Sequence, residues 1–450
     1  MGRIQIGSVG QIDGNGCVAS DTERIQEAID TCFEQGGGKV VLEEGTYVTG
    51  TLRLRSHVTL VLERDALLLG SGEIEDYPDN ESCFVDAVGH RRGRAMLYAL
   101  DAEDIGLEGE GTLDGRGGQF PPEHAAHRIR PFLIRLVRCR EVRIQGVRFR
   151  QAAAWCLHLQ ECQRVCLEGI QITNRCNGNN DGIDIDGCSQ VSVRNCRLDT
   201  GDDAICLKAT GKLPCEGIQV SGCQVTTAWA AFKIGTESVG DFRDIEVSDC
   251  VFYDVYGCGI KVVPVDGGNV EGLHLHDIRM IHCTGPIFFS QGERLREYFG
   301  VRKDKPGKIS QVRLERIAAW VVSAKGGYYL GKPWGNAKGC VVFSGLEEFP
   351  MEDVVLKDCV FHMPGGGAAS ASGQEAAPIQ EAAAGEEVSA WKVPEMGDQY
   401  PEFHLFDPLP CWGLYLRHIR NVRWEGMRMT AREPDGRPMI AKEDTWDVWG

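Results

Sequence analysis

No apolar run in this 450-residue sequence approaches the ~20 positions that a membrane helix needs, so no membrane-embedded role is expected. The opening residues, "MGRIQIGSVGQIDGNG", lack the cationic and apolar blocks of a secretory leader, and a cytoplasmic protein is the expectation. Positive charge is scarce: 48 Lys and Arg stand against 65 Asp and Glu, a formal net charge of −17. Such a field repels phosphate backbones and anionic lipid, which argues against nucleic acid or a membrane surface as partner. An acidic substrate stays open, because a few cations in a cleft outweigh a mean field. Histidine is sparse as well, with 11 residues, and no cysteine pair stands at a zinc-ligand spacing with histidine. Neither a metal nor another cofactor is expected. Cysteine is the exception to these scarcities, at 19 residues. Free thiols in a reducing compartment suit that odd count better than disulfides in a chain without a leader.

What is abundant is repetition. The segments "CREVRIQGVRF" from Cys139, "CQRVCLEGIQI" from Cys162, "CSQVSVRNCRL" from Cys188 and "CEGIQVSGCQV" from Cys215 are copies of one pattern. It continues at Phe242, Val270 and Ile309, then less regularly at Met351 and Leu416. The anchor residues Val142, Val165, Val191, Ile218, Ile245 and Leu273 follow one another at 23, 26, 27, 27 and 28 residues. Each unit holds two or three short alternating strands separated by Gly, Asn or Asp turns. No such unit buries its apolar face alone, so the units stack, and the period fits one coil of a parallel β-helix. Five residues after the anchors come Val147, Ile170, Cys196, Cys223, Cys250 and Ile278. One interior column therefore takes cysteine and aliphatics interchangeably, which makes most cysteines small buried hydrophobes.

The expected architecture is all-β: a single right-handed parallel β-helix domain over 1–450, with an N-terminal capping section over about 1–38. In "SDTERIQEAIDTCFEQGGG" a Ser20–Glu23 capping box precedes Ile25, Ile29 and Phe33 at helical spacing, and Gly36–Gly38 end the helix. The helix would cover the open strand edges of the first coil. The small, polar stretch at 364–390 reads as a mobile insertion over about 364–395.

Strand alternation sorts side chains to faces. In "GIDIDG", Ile183 and Ile185 point in and Asp184 and Asp186 point out. In "GDDAICLK", Ile205 and Leu207 point in, and Asp202 shares the outward parity of Ala204 and Cys206. Lys233 in "AFKIGTES" and Lys261 in "GIKVV" are outward by the same rule. Coils lie ~4.8 Å apart, so Asp184, Asp202, Lys233 and Lys261 should share one outer surface. Asp181 and Asp203 sit at strand starts, where parity does not settle their direction and a bend would be needed to present both carboxylates to that surface. Adjacent acids do not both ionise cheaply in a cleft, so one rises in pKa and serves as a general acid. A third carboxylate one coil away stays ionised and activates water. That is the equipment of inverting glycoside hydrolysis, where acid and base stand ~6.5–9.5 Å apart, and the lysines would neutralise a uronate carboxylate.

The chain resembles glycoside hydrolase family 28, the pectin-degrading polygalacturonases and rhamnogalacturonan hydrolases, over most of residues 12–295. The resemblance is carried by "SDTERIQEAID", "GGGKVVLEEGTYVTGTLRLRSHVTL", "GTLDG", "NNDGID", "GDDAI" and "GPIFFSQGER". It implies a right-handed parallel β-helix and an inverting mechanism, with Asp202 as general acid and Asp181 and Asp203 positioning and deprotonating water. Two departures stand out. Where the family carries Gly-His-Gly ahead of Ser-Ile-Gly, this chain has "WAAFKIG", with Ala230 at the histidine's place and Lys233 at the serine's. The family's Arg-Ile-Lys is Gly259-Ile260-Lys261. The chemistry is kept while sugar recognition is rebuilt, with Glu237 of "FKIGTES" as an added polar group.

The resulting expectation is an exo-acting inverting hydrolase of a uronate-containing oligosaccharide, galacturonan or rhamnogalacturonan in type, with Lys233, Lys261, Glu237 and Asp184 binding substrate. A uronate lyase on the same fold, with Lys233 or Lys261 as base, and a non-catalytic carbohydrate-binding β-helix are the rivals. Trp155, Trp229 and Tyr256 are candidate stacking surfaces. His124 and His127 are candidate rim residues, and segments 75–100, 290–308 and 325–340 are candidate walls. Sequence leaves the oligomeric state open.

Overall fold

The computed structural model describes residues 2–7, 21–323, 328–329, 332–333, 339–367, 393–406 and 408–450. It winds as the repeats require, each central coil laying down three short strands that pair in parallel with those of the next coil. On the face that carries the site, β1 (Phe132–Val137), β2 (Leu157–Gln160), β3 (Ile183–Asp186), β4 (Ile205–Ala209), β5 (Ala230–Ser238), β6 (Cys258–Pro264) and β7 (Ile287–Ser290) stack in order. The winding is right-handed, the hand that crossovers between parallel strands adopt.

The second face holds the anchors, and the expected alignment is met residue for residue. Val142 pairs with Val165, Val165 with Val191, Val191 with Ile218, Ile218 with Ile245, and Ile245 with Leu273. The third face is a 12-stranded sheet in which Phe149, Ile172, Leu198, Val225, Phe252 and Met280 align inward. At the corner between these faces sits the column Val147, Ile170, Cys196, Cys223, Cys250 and Ile278, every member buried. The residue before each column member turns the corner with positive φ: Gly146 (77°), Gly169 (63°), Asn195 (54°), Gly222 (66°), Asp249 (53°) and Asp277 (55°). Left-handed backbone disfavours most L-residues, and Gly, Asn and Asp tolerate it best. That conformation is why the turn alphabet recurs at this one place in the sequence. The less regular copies at Met351 and Leu416 also join the stack, with Val312 pairing to Val354 and Val354 to Val422.

At the N-terminal end, the helix α1 (Thr22–Glu34) adds Ile25, Ile29 and Cys32 to the continuous core. Phe33, expected inward, is instead 40% exposed under the Arg55 guanidinium. Seven residues complete almost two helical turns while eight overshoot, so Cys32 takes the inward place. Ser20 of the expected capping box lies outside the described residues. Asp21 occupies the cap position, and its carboxylate accepts from Val48 N at 3.0 Å and pairs with Arg24 at 2.6 Å. The capping section is also more than a helix, because Gly2–Ile6 extends the stack by pairing with Gly38–Leu42.

Of the expected insertion over about 364–395, residues 368–392 lie outside the described residues. Its flanks are the strand Val360–Gly365 and the segment 393–406, which folds back over the site face. Among the described residues no helix is long and apolar enough to cross a membrane.

Candidate active site

Two braced turns bring the acids together. Asn180 is buried and donates from Nδ2 to the Ala152 and Ala154 carbonyls at 2.9 and 3.0 Å, while Asn174 Nδ2 donates to Asp181 O at 3.0 Å. On the next coil, Thr200 Oγ1 and Thr227 Oγ1 donate to the Asp202 carbonyl at 2.7 and 2.6 Å. Asn174, Thr200 and Thr227 occupy one register position on successive coils and are fully buried. This polar ladder satisfies backbone groups that the acid-bearing turns would otherwise bury unpaired. The coils are then locked to each other by Gly182 N, which donates to Asp203 O at 2.9 Å.

One carboxylate oxygen from each of Asp181, Asp202 and Asp203 lies within 4.8 Å of the others. That cluster is tighter than the ~6.5–9.5 Å that the usual inverting geometry leads one to expect. Asp203 is anchored: its Oδ2 pairs with Lys233 Nζ at 2.5 Å and its Oδ1 accepts from Ala230 N at 3.2 Å. Ala230, which stands where the family carries histidine, thus supplies a backbone donor. Lys233 Nζ also bonds Tyr400 Oη at 2.9 Å.

Surroundings separate the three acids. Burial and the charge of Asp203 push Asp202 up to about 7. Burial acts upward on Asp203 too, but the ammonium groups of Lys233 and Lys261 outweigh it and hold that carboxyl below the ordinary range. Asp181 is raised well above it by burial and then by the charges of Asp202, Asp184 and Asp203. The cluster therefore holds a standing carboxylate at Asp203 and an exchangeable proton at Asp202 near neutrality. A general acid and a general base need that combination.

A second buried charge group adjoins the first. Lys208 Nζ lies 3.2 Å from Glu237 Oε2, 3.6 Å from Asp184 Oδ1 and 4.5 Å from the centre of the Trp155 ring. Glu237 is driven to about 2; burial opposes that shift, and Lys208, Lys233 and Arg294 overcome it. Lys261 Nζ pairs with Glu402 Oε2 at 2.7 Å.

A cavity of about 260 Å³ lies over these groups, lined by all three aspartates and by Lys208, Lys233 and Glu237. Two of the residues expected at the substrate lie off the cavity wall. Asp184, expected to bind substrate, is wholly buried and does not line the cavity. It stands in register between His158 and Cys206, under Lys208, and burial raises its carboxyl to about 8. Lys261 is outward as expected and pairs in register with Lys233, but it lies behind Glu402 and not on the cavity wall. Asp202 reaches the cavity, as expected, from the bend before β4, and Cys206 stands in register between Asp184 and Lys233.

Trp155 and Trp229 line the cavity, whereas Tyr256, His124 and His127 do not. The two histidines brace a 3₁₀ turn, His124 Nδ1 accepting from Ala126 N and His127 Nδ1 lying 2.9 Å from Phe120 O.

Sequence reasoning missed Lys208, Asn179, Tyr400 and Glu402. Lys208 carried a usable signal, since it shares the outward parity of Cys206 on β4. Asn179 stood inside the quoted motif, and its Oδ1 accepts from Arg92 at 3.2 Å and Arg130 at 3.1 Å. Tyr400 and Glu402 arrive on a non-repeating segment far along the chain from the aspartates, with no periodic mark. Of the candidate walls, 75–100 supplies Asp86, Ala87 and Val88 on a small hairpin, which Arg92 pins through Asp86 at 2.7 Å. Segment 290–308 reaches that hairpin through Arg296, which donates to Ala87 O at 2.9 Å. Most of 325–340 lies outside the described residues.

A family profile described as "Glycosyl hydrolases family 28" matches residues 86–340. A "Probable polygalacturonase" of Vitis vinifera is 25% identical over 302 residues, covering 62% of this chain and 60% of its own length. An "Exo-poly-alpha-D-galacturonosidase" of Dickeya chrysanthemi is 27% identical over 236 residues, 41% of this chain and 38% of that one. This chain thus spans less than two thirds of the length of those relatives. Among solved structures, the Yersinia enterocolitica family 28 exopolygalacturonase matches with a TM-score of 0.72 at 16% identity, covering 99% of this chain and 78% of that one. At that identity the likeness concerns the fold, and the fold agrees.

Proposed function

Because the chain belongs to glycosyl hydrolase family 28, we propose that it hydrolyses a glycosidic bond in pectic, galacturonan-type oligosaccharides, acting from a chain end and inverting the anomeric carbon. The observation that carries this reading is the split among three carboxyls within 4.8 Å, with Asp202 at about 7 and Asp203 held low. Asp202 donates its proton to the glycosidic oxygen, which leaves with the electron pair of the broken C–O bond. Water bonds to the anomeric carbon from the other side and passes a proton to Asp203. Asp181, on the preceding coil, orients that water. Lys233 keeps Asp203 ionised between turnovers.

End-wise action is supported by enclosure. The cavity is below the ~300–1,000 Å³ of sites that hold drug-sized ligands, and the hairpin at 84–92 and the segment 393–406 wall it. The names of the Dickeya and Yersinia proteins point the same way. A lyase would need a basic group free to take a proton. Here Lys233 is bonded to Asp203 and Lys261 to Glu402, which favours hydrolysis.

One observation favours a second reading. Carboxyls as close as these resemble the ~5–5.5 Å spacing of retaining enzymes, in which one carboxylate attacks the sugar directly. Proton NMR of the first product decides: an α-linked pectic oligosaccharide gives the β anomer first under inversion and the α anomer under retention. Asp202→Asn should lower kcat by about 10²–10⁴-fold. Undiminished turnover by that variant would overturn the assignment.

A further inference from the structure

An outward lysine at position 261 is a natural partner for a uronate carboxylate, yet here a carboxylate of the protein itself is already there. Glu402 Oε2 stands 2.7 Å from Lys261 Nζ, with the lysine side chain only 3% exposed and the glutamate 16%. The Tyr400 and Trp229 rings flank the same ammonium at 5.4 and 5.8 Å. The other lysines of the site are likewise engaged, Lys233 by Asp203 and Lys208 by Glu237 and Asp184. Six acidic side chains and two lysines line the cavity.

We infer that Glu402 occupies the place a uronate carboxylate would take against Lys261, and that the sugar ring seated against Glu402 carries no free carboxylate: it is a neutral sugar or a methyl-esterified uronate. This rests on the glycosidase reading above and narrows it. A free uronate would have to expel Glu402 from Lys261 and leave it uncompensated beside the incoming charge, and like charges placed together at an interface are strongly disfavoured. An uncharged ring leaves the Lys261–Glu402 pair intact, and Trp155 and Trp229 on the cavity wall offer it apolar surface. A free uronate elsewhere along the oligosaccharide is compatible, since Arg296 reaches the rim at Ala87.

The test uses the full chain carrying Asp202→Asn to stop turnover, and measures Kd calorimetrically for a galacturonic acid trimer as free acid, as methyl ester and in carboxyl-reduced form. The ester and the reduced form should each bind about tenfold or more tightly than the free acid. Adding Glu402→Gln, which frees Lys261, should narrow that ratio by about tenfold. A free acid that binds equally or better, a ratio unmoved by Glu402→Gln, or no binding of any form overturns the inference. The ratio in the Asp202→Asn protein decides by itself should the double variant not fold. Turnover by the unsubstituted protein is scored separately: ligands that bind in the expected order yet are not cleaved sink the hydrolase reading and leave this one standing.

Discussion

Replacing Lys233 by Met removes the ammonium 2.5 Å from Asp203 Oδ2 while keeping most of the stem. An opposite charge at such range lowers a carboxyl pKa by about 1–3 units, equivalent to roughly 1.4–4 kcal/mol. Lys261 also holds Asp203 down and remains in the variant, so the lower half of that range is expected. In the proposed mechanism Asp203 is the base, and the acid limb of the kcat/KM–pH profile would report its ionisation. That limb should move up by about 1–2 pH units. The alkaline limb, set by Asp202 at about 7, should also move up, because Lys233 holds Asp202 down as well.

Stability should follow in a defined direction. A carboxyl depressed in the fold contributes stability that is present above its unfolded pKa and lost as pH falls through the folded value. Without Lys233, Asp203 keeps only Lys261 and the Ala230 N–H as compensation, and the rise of about 1–2 in its pKa corresponds to a loss of about 1.4–3 kcal/mol at neutral pH. That deficit should shrink on acidification as Asp203 protonates. The assay is a pH–rate series on a pectic oligosaccharide, with denaturant unfolding at the same pH values. A folded Lys233→Met protein with an unmoved acid limb would refute the assignment of Asp203 as the lysine-held base.

Other substitutions test other parts of the structure. Asp202 has a folded pKa above its unfolded value, so it loses stability as pH rises through the interval from ordinary aspartate to about 7. Asp202→Asn should therefore unfold at higher denaturant than wild type above neutrality while losing activity. Lys208→Met leaves Glu237 and Asp184 without their shared cation and should cost about 3–5 kcal/mol, read as a lowered denaturation midpoint that recovers toward acid pH. At the corner turn, Gly169 has φ 63° and open space where a Cβ would stand. Gly169→Asn should be near neutral, as Asn195 already fills the equivalent place, while Gly169→Val should cost about 1–2 kcal/mol by thermal unfolding.

The coils were legible because they are periodic. Val142 through Leu273 stack in register because one apolar position per turn of the solenoid must face the core, and a spacing of 23 to 28 residues reports that directly. The three aspartates were legible because two short motifs fell on adjacent coils. Burial was not legible. Strand parity says that Asp184 points away from the core, but not that His158, Cys206 and Lys208 enclose it. Lys261 is outward by the same rule, and only the return of segment 393–406 puts Glu402 against it. Non-repeating segments write nothing into the period, so the residues they deliver to the cavity carried no mark in the sequence. The exposure of Phe33 was an error of a single residue, since helical period places Cys32 and not its neighbour over Ile25 and Ile29.

The tight acid cluster raises the sharpest question, because its spacing alone suits a retaining enzyme while the family resemblance implies inversion. Time-resolved proton NMR of the first minutes of hydrolysis of an α-linked pectic oligosaccharide addresses it directly. With Asp202 as acid and Asp203 drawing a proton from water, the β-anomeric proton of a saturated reducing end appears first and the α signal grows by mutarotation. An α signal first, an unsaturated uronate in its place, or the same turnover from Asp202→Asn would contradict that mechanism.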